Sequence, residues 1–117
     1  MNEKALLIVV LNKIELLDKM LTALNDAGIR GATVLNSIGM AHELAGLEDN
    51  YVISSLRAMF ASDRRENRTI FMVISQDRIT AATQVIDGVI DLQKPDTGIL
   101  FAVPVLFAAG ITERQGE

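Results

Sequence analysis

The residues best suited to chemistry in this chain are four arginines crowded into twelve positions: Arg57, Arg64, Arg65 and Arg68. A guanidinium is a planar fork of donors that fits a phosphate or a carboxylate, which makes the cluster the leading anion-binding candidate. Asp63 and Glu66 interleave with it; the competing reading is a solvated turn in which these acids pair with the arginines. The turn Asp96-Thr97-Gly98 is a second candidate, because successive backbone N–H groups in a turn can hold an anion. Its plainer reading is a strand-entry turn. His42 is the single histidine and Glu43 adjoins it, a pairing suited to proton transfer or metal binding. A metal site needs several convergent ligands, however, and the chain has no cysteine and no second histidine; a solvent-facing His42 is the simpler reading. Glu43, Glu48 and Asp49 could hold a hard cation in an oligomer, or merely keep the surface soluble. Ser37, Ser54, Ser55, Ser62 and Ser75 come without a nucleophile–base signature. Met20, Met40, Met59 and Met72 read as core fill. No cofactor is named by these residues, and none points to an enzyme.

The elements that position them follow from composition and periodicity. The 117 residues amount to a single domain over 1–117, half apolar and only 4% aromatic, with mean hydropathy +0.30. Such a chain buries enough aliphatic surface to offset its ordering entropy, which excludes disorder. The absence of cysteine excludes a disulfide scaffold. A net charge of −4 and a pI near 4.9 argue against a nucleic-acid partner. The apolar run Ala5 to Leu11 lacks the basic leader and cleavage site of a signal peptide, and Ile99 to Ile111 is interrupted by Pro104 and Gly110 and too short to span a bilayer. The expectation is a cytoplasmic protein without membrane insertion.

Ala5 to Leu11 reads as a buried strand. Asn12 is the expected N-cap of a helix, with Glu15 in capping-box spacing, and Ile14, Leu17, Leu21 and Leu24 form its apolar stripe. Gly28 ends that helix in a left-handed cap. A second strand runs from Gly31 to Ile38 and stops at Gly39. The long stretch that follows is too long for a bare loop; Asp49 or Asn50 caps an expected helix carrying Val52, Leu56, Met59 and Phe60. Thr69 to Ile74 is the third strand. Ser75 is the expected N-cap of the next helix, with Asp77 in its first turn and Ile79, Ala82, Ile86 and Val89 or Ile90 on its stripe. A turn over 93–98 leads to the last strand, Ile99 to Val105, where Pro104 belongs at an end or an edge.

The order β-α-β-(insert)-β-α-β predicts an α+β, ferredoxin-like sandwich, a four-stranded antiparallel sheet with two helices on one face and a partly helical insert between strands 2 and 3. Strands covered on one face should alternate apolar and polar, yet three of the four are apolar on both. Either the insert covers the second face or another subunit does. So large an apolar patch exceeds what soluble monomers tolerate, and an oligomer is expected.

The segments Gly28 to Val34, Gly39, Asp96 to Val105 and Ile111 to Glu117 together resemble the PII signal-transduction proteins of the nitrogen regulatory superfamily. Gly28-Ile-Arg-Gly-Ala-Thr-Val34 is similar to the stretch joining that family's first helix and second strand, and Gly39 stands where the family has a glycine before its long regulatory loop. Asp96-Thr-Gly-Ile-Leu-Phe-Ala-Val-Pro-Val105 is similar to its G-D-G-K-I-F-V-x-P-V segment, and Ile111-Thr-Glu-Arg-Gln-Gly-Glu117 resembles its R-I-R-T-G-E ending. The match in element order covers nearly the whole chain. It implies a homotrimer whose sheets line the centre, with nucleotide-binding clefts between subunits and protruding loops that regulate a protein partner. The departures are specific. Ile99 occupies the position of the phosphate-binding lysine, Asp96 replaces a glycine, Gly110 and Thr112 fall near the two arginines, and Arg114 is displaced. Tyr51 does not lie in the family's modified-tyrosine motif. The resemblance is therefore to a divergent PII-like protein, not a standard nitrogen sensor.

The expectation is a non-enzymatic regulator that senses a small anionic ligand, a nucleotide being one candidate. Thr33, Gly39, Asp96, Thr97 and Gly98 line its cleft, and Arg64 or Arg65 supplies charge. The alternatives are a small ferredoxin-like oligomeric enzyme of isomerase or monooxygenase type, and a trimer like the cation-tolerance proteins.

Overall fold

The computed structural model describes residues 3–39 and 66–111. The expected helix over 52–60, His42, Tyr51, the carboxylates Glu43, Glu48 and Asp49, the arginines Arg57, Arg64 and Arg65, and the tail from Thr112 lie outside the described residues. Within them the chain runs β1 (Lys4–Leu11), α1 (Leu17–Asp26), β2 (Ala32–Ile38), β3 (Glu66–Ser75), α2 (Ile79–Ile90) and β4 (Gly98–Val105), with a short 3₁₀ turn leading into each helix. The strands form one antiparallel sheet in the order β2-β3-β1-β4. This is the ferredoxin-like α+β arrangement that the element order predicts.

β1 is apolar from Ala5 to Leu11, with one face under the helices and the other running through the middle of the sheet's second face. Ala5, Leu7, Val9 and Leu11 are buried beneath the helices, and the residues between them are half-buried. β3 adds Ile70, Met72 and Ile74 to the same layer, α1 adds Met20 and Leu24, and α2 adds Ala82, Ile86 and Ile90. Each large aliphatic side chain so buried stabilises the fold by about 1.5–3 kcal/mol. The α2 stripe is the expected one. In α1 the buried line runs through Met20 and Leu24, with Leu17 and Leu21 packed beside it.

Both expected helix caps are corrected. Asn12 does not cap α1: the 3₁₀ turn Ile14–Leu16 has Lys13 at its N-cap and no side-chain cap hydrogen bond. Ser75 occupies the N-cap position before Gln76–Arg78 but also makes no capping bond; its Oγ accepts from Lys4 Nζ at 3.4 Å. In both cases the side chain finds a partner across the sheet instead of its own helix. Gly28 does take the left-handed conformation (φ +90°) after α1, and its N–H donates to Asn25 O at 3.0 Å. Pro104 lies on the edge strand β4, as its missing N–H requires.

The other face of the sheet is open. Pairing sets Leu6 beside Val73 and Val103, Ile8 beside Phe71 and Phe101, and Val10 beside Ile99. Ile99, Phe101 and Leu35 stay 58%, 45% and 44% exposed. Beyond β4, Leu106 and Phe107 are almost wholly exposed. No helix among the described residues is long and apolar enough to cross a membrane.

Candidate functional site

The strands bring β1's last residue, β2's last residue and the first residues of β3 and β4 to one end of the sheet, called here the loop end. A polar cluster occupies the open face there. Asn67 Nδ2 donates to Asn12 Oδ1 at 3.3 Å, Ser37 Oγ donates to Asn67 Oδ1, and Ser37 Oγ lies 2.8 Å from Thr69 Oγ1. Asn67 is buried and both ends of its amide are paired, which is the condition for a buried amide to be tolerated. Asn12 also ties the cluster to the last loop, since its backbone N–H donates to Thr97 O at 3.0 Å. Hydrogen bonds thus run from the turn before β4, through Asn12 and Asn67, to the end of β2.

That turn is held by its own atoms. α2 ends at Asp91, which takes a left-handed conformation (φ +54°), and the Asp87 carboxylate accepts from Leu92 N–H at 2.7 Å. The Thr97 hydroxyl is buried and shared between Asp91 O and Lys94 O, at 3.2 and 3.1 Å. Asp96 is left-handed as well (φ +64°), a conformation that aspartate tolerates better than most residues. Gly98 is required by proximity: a Cβ there would lie 2.6 Å from Val10 O.

Thr33 is exposed on the open face of β2, and Gly39 is half-buried just past that strand's end. Asp96 is exposed, the Thr97 side chain is turned into its own loop, and Gly98 opens β4. β2 and β4 are opposite edges of the sheet, three strand spacings or about 14 Å apart. A single chain therefore does not bring Thr33 and Gly39 together with Asp96–Gly98. Arg68, the member of the expected arginine cluster that falls among the described residues, lies on β3, bonded to Glu66 Oε1 at 3.1 Å and to Asn67 O at 3.0 Å. Beside β4 an apolar groove of about 480 Å³ opens, lined by Ile79, Thr83, Leu92, Gly98, Leu100 and Phe101 among others. Its size is in the range of small-molecule sites. Among the described residues no group of three potential metal ligands occurs.

Sequence reasoning missed Asn12, Asn67 and Thr69 as a connected set. The residue types gave the only signal, three small polar side chains at strand ends, and their partners lie far apart in sequence.

No family model matches the chain, and a search of curated proteins also finds no match. Solved structures do match. PII from Arabidopsis thaliana, bound to citrate, superposes with TM-score 0.62 at 18% identity, covering 89% of this chain and 78% of that one. A functionally unknown protein from Pediococcus pentosaceus gives 0.64 at 12% identity, covering 95% of this chain and all (100%) of the other. A DUF3240 family protein from Shewanella baltica gives 0.63 at 12%, covering 96% and 100%. At these identities the likeness speaks to architecture, and the architecture of this chain is the PII-like form of the ferredoxin-like fold.

Proposed function

We propose that the chain is a non-enzymatic, PII-like regulatory protein acting as a homotrimer, with small anionic ligands bound where subunits meet. The carrying observation is the open sheet face. Apolar side chains from all four strands lie side by side there, Leu35, Phe71, Val73, Ile8, Phe101 and Val103 among them. A patch of this extent calls for a partner surface, and further copies of a PII-like sheet supply one. Assembly also answers the separation of the candidate residues, because the β2 edge of one subunit can meet the β4 edge of the next. Thr33 and Gly39 then face Asp96, Thr97 and Gly98 across a seam. The backbone of the Asp96–Gly98 turn offers N–H groups to an anion, the groove beside β4 takes an apolar ring, and Arg64 or Arg65, which precede β3 in sequence, add charge. With Ile99 in place of a lysine, the phosphate-binding part of a nucleotide has less to hold it. A regulated protein partner belongs to the same reading. The setting is the cytoplasm.

Light scattering on the full chain tests the assembly, and a thermal-shift series with adenine nucleotides, cyclic nucleotides and bicarbonate tests the ligand. A trimer mass with a stabilising nucleotide supports the reading. A monomer at micromolar concentration defeats the assembly, and an unchanged melting temperature across the series defeats the nucleotide.

A further inference from the structure

The sheet ends in two strands, β2 and β4, and among the described residues no strand pairs with the outer side of either. We propose that these two edges are each other's partners. β4 of one copy extends its ladder into β2 of the next, antiparallel, with Leu100 opposite Asn36. The proposal rests on the trimeric reading above and states how its subunits join.

The backbone shows which groups each edge offers. Opposed residues of an antiparallel ladder alternate between pairs that exchange hydrogen bonds and pairs that do not. Asn12 N–H donates to Thr97 O at 3.0 Å, one step beyond the pair Leu11 and Gly98. The β4 residues that bond β1 are therefore Ile99, Phe101, Val103 and Val105, whereas Gly98, Leu100, Ala102 and Pro104 turn their backbone groups outward. At the other end Gln76 N–H donates to Glu3 O at 2.7 Å, one step beyond Lys4 and Ser75. The same alternation carried through β3 leaves Asn67, Thr69 and Phe71 to bond β2, so Ala32, Val34, Asn36 and Ile38 face outward. Pro104 agrees with this pattern: it stands where a missing N–H takes nothing from the protein's own ladder.

The two sets of groups fit in one register. β2 and β4 run antiparallel, because each of the strand pairs between them is antiparallel. With Leu100 opposite Asn36, Gly98 meets Ile38 and Ala102 meets Val34, which uses every outward N–H of β4. Pro104 then falls opposite Ala32, the first residue of β2, where the ladder ends. A slip of two residues one way sets Pro104 against Val34, and the other way leaves Ile38 beyond the end of β4. The register also keeps the sheet faces continuous. Phe101 and Leu35, 45% and 44% exposed in one chain, become directly opposed across the seam, and Val103 falls opposite Thr33. Neither strand carries a charged residue, a common guard of a sheet edge against pairing. One step past the ladder Gly39 stands opposite Thr97, so the candidate ligand residues of two copies meet.

The test is amide hydrogen exchange of the full chain across a concentration series, with light scattering on the same samples. Val34, Asn36, Ile38, Gly98, Leu100 and Ala102 should exchange at least about tenfold more slowly once the assembly forms. A trimer whose six amides stay fast overturns the edge pairing and leaves the regulatory reading standing. Protection that persists in the monomer means that the chain covers its own edges, and overturns the proposal. A monomer at every concentration overturns both readings. The variants Ala102→Pro and Asn36→Pro each delete an outward N–H that the chain's own ladder does not use. Each should keep the circular-dichroism spectrum and raise the concentration needed for assembly about tenfold or more. Phe101→Pro, which removes a bond to β1, is the control that should damage the fold itself. Unchanged assembly in both Ala102→Pro and Asn36→Pro overturns the proposal, and the exchange measurement on the parent chain decides it should either variant fail to fold.

Discussion

Asn67 Nδ2 donates to Asn12 Oδ1 at 3.3 Å across 55 residues of sequence, joining the start of β3 to the residue that follows β1. Because Ser37 donates to the other end of the same amide, Asn67 holds three segments at once. Asn67→Ala leaves the Asn12 carbonyl and the Ser37 hydroxyl to find new partners. The expected loss is about 1–3 kcal/mol of stability, read by urea unfolding, with amide exchange at Asn12 and Ser37 accelerated. An unchanged midpoint would mean that water replaces Asn67 at no cost.

Gly98 and Gly31 make a matched pair. A Cβ at Gly98 meets Val10 O at 2.6 Å, and one at Gly31 meets nothing within 4 Å. Gly98→Ala should destabilise by about 1–3 kcal/mol or prevent folding, whereas Gly31→Ala should unfold within a few tenths of a kcal/mol of the parent. Thermal melts of the two variants side by side check this, and equal melting temperatures would contradict it.

Gly88 lies exposed within α2 with open space around its missing side chain. Alanine there removes unfolded-state freedom without a clash, so Gly88→Ala should raise stability by about 0.5–1 kcal/mol. Denaturant titration is sufficient, and a lower midpoint would point to a contact made at this helix face in the assembly.

Phe101 sits at the middle of the open face, 45% exposed and paired in register with Ile8. If that face is covered by other copies, Phe101→Glu places a charge in their interface. The expected outcome is a fall in mass by light scattering with the circular-dichroism spectrum retained. An unchanged mass would move the interface elsewhere.

The fold was legible because its signals are periodic and local. β1, β4 and the α2 stripe are visible as apolar runs or repeats, and the doubly apolar strands match the apolar side chains found on the open face of the sheet. The beginning of β3 was not legible: Glu66-Asn67-Arg68 carries two charges and an amide, and reads as loop. It is strand because its backbone pairs with the end of β2, Arg68 opposite Asn36 and Glu66 opposite Ile38, while the Asn67 side chain is paired from both sides. Asn12 and Ser75 misled in the same way. Each has the side chain of a helix cap and stands where a cap belongs, but each is engaged across the sheet. Local propensity cannot report a partner 55 or 71 residues away. Of the candidate site, the turn before β4 was recognisable from its residues, whereas the distance between the two sheet edges emerges only from the strand order.

β1 carries Lys4, bonded to Ser75, at one end and leads into the polar cluster at Asn12 at the other, with nothing but aliphatic side chains and alanine between them. The two ends are about 25 Å apart, several times the screening length of about 8 Å in physiological salt. A charge arriving at one end is therefore electrically silent at the other. Any message passing along this strand has to travel as displacement, a slide or tilt of a stiff rod seated in the core, and the sheet's hydrogen-bond register limits how far such a movement can go.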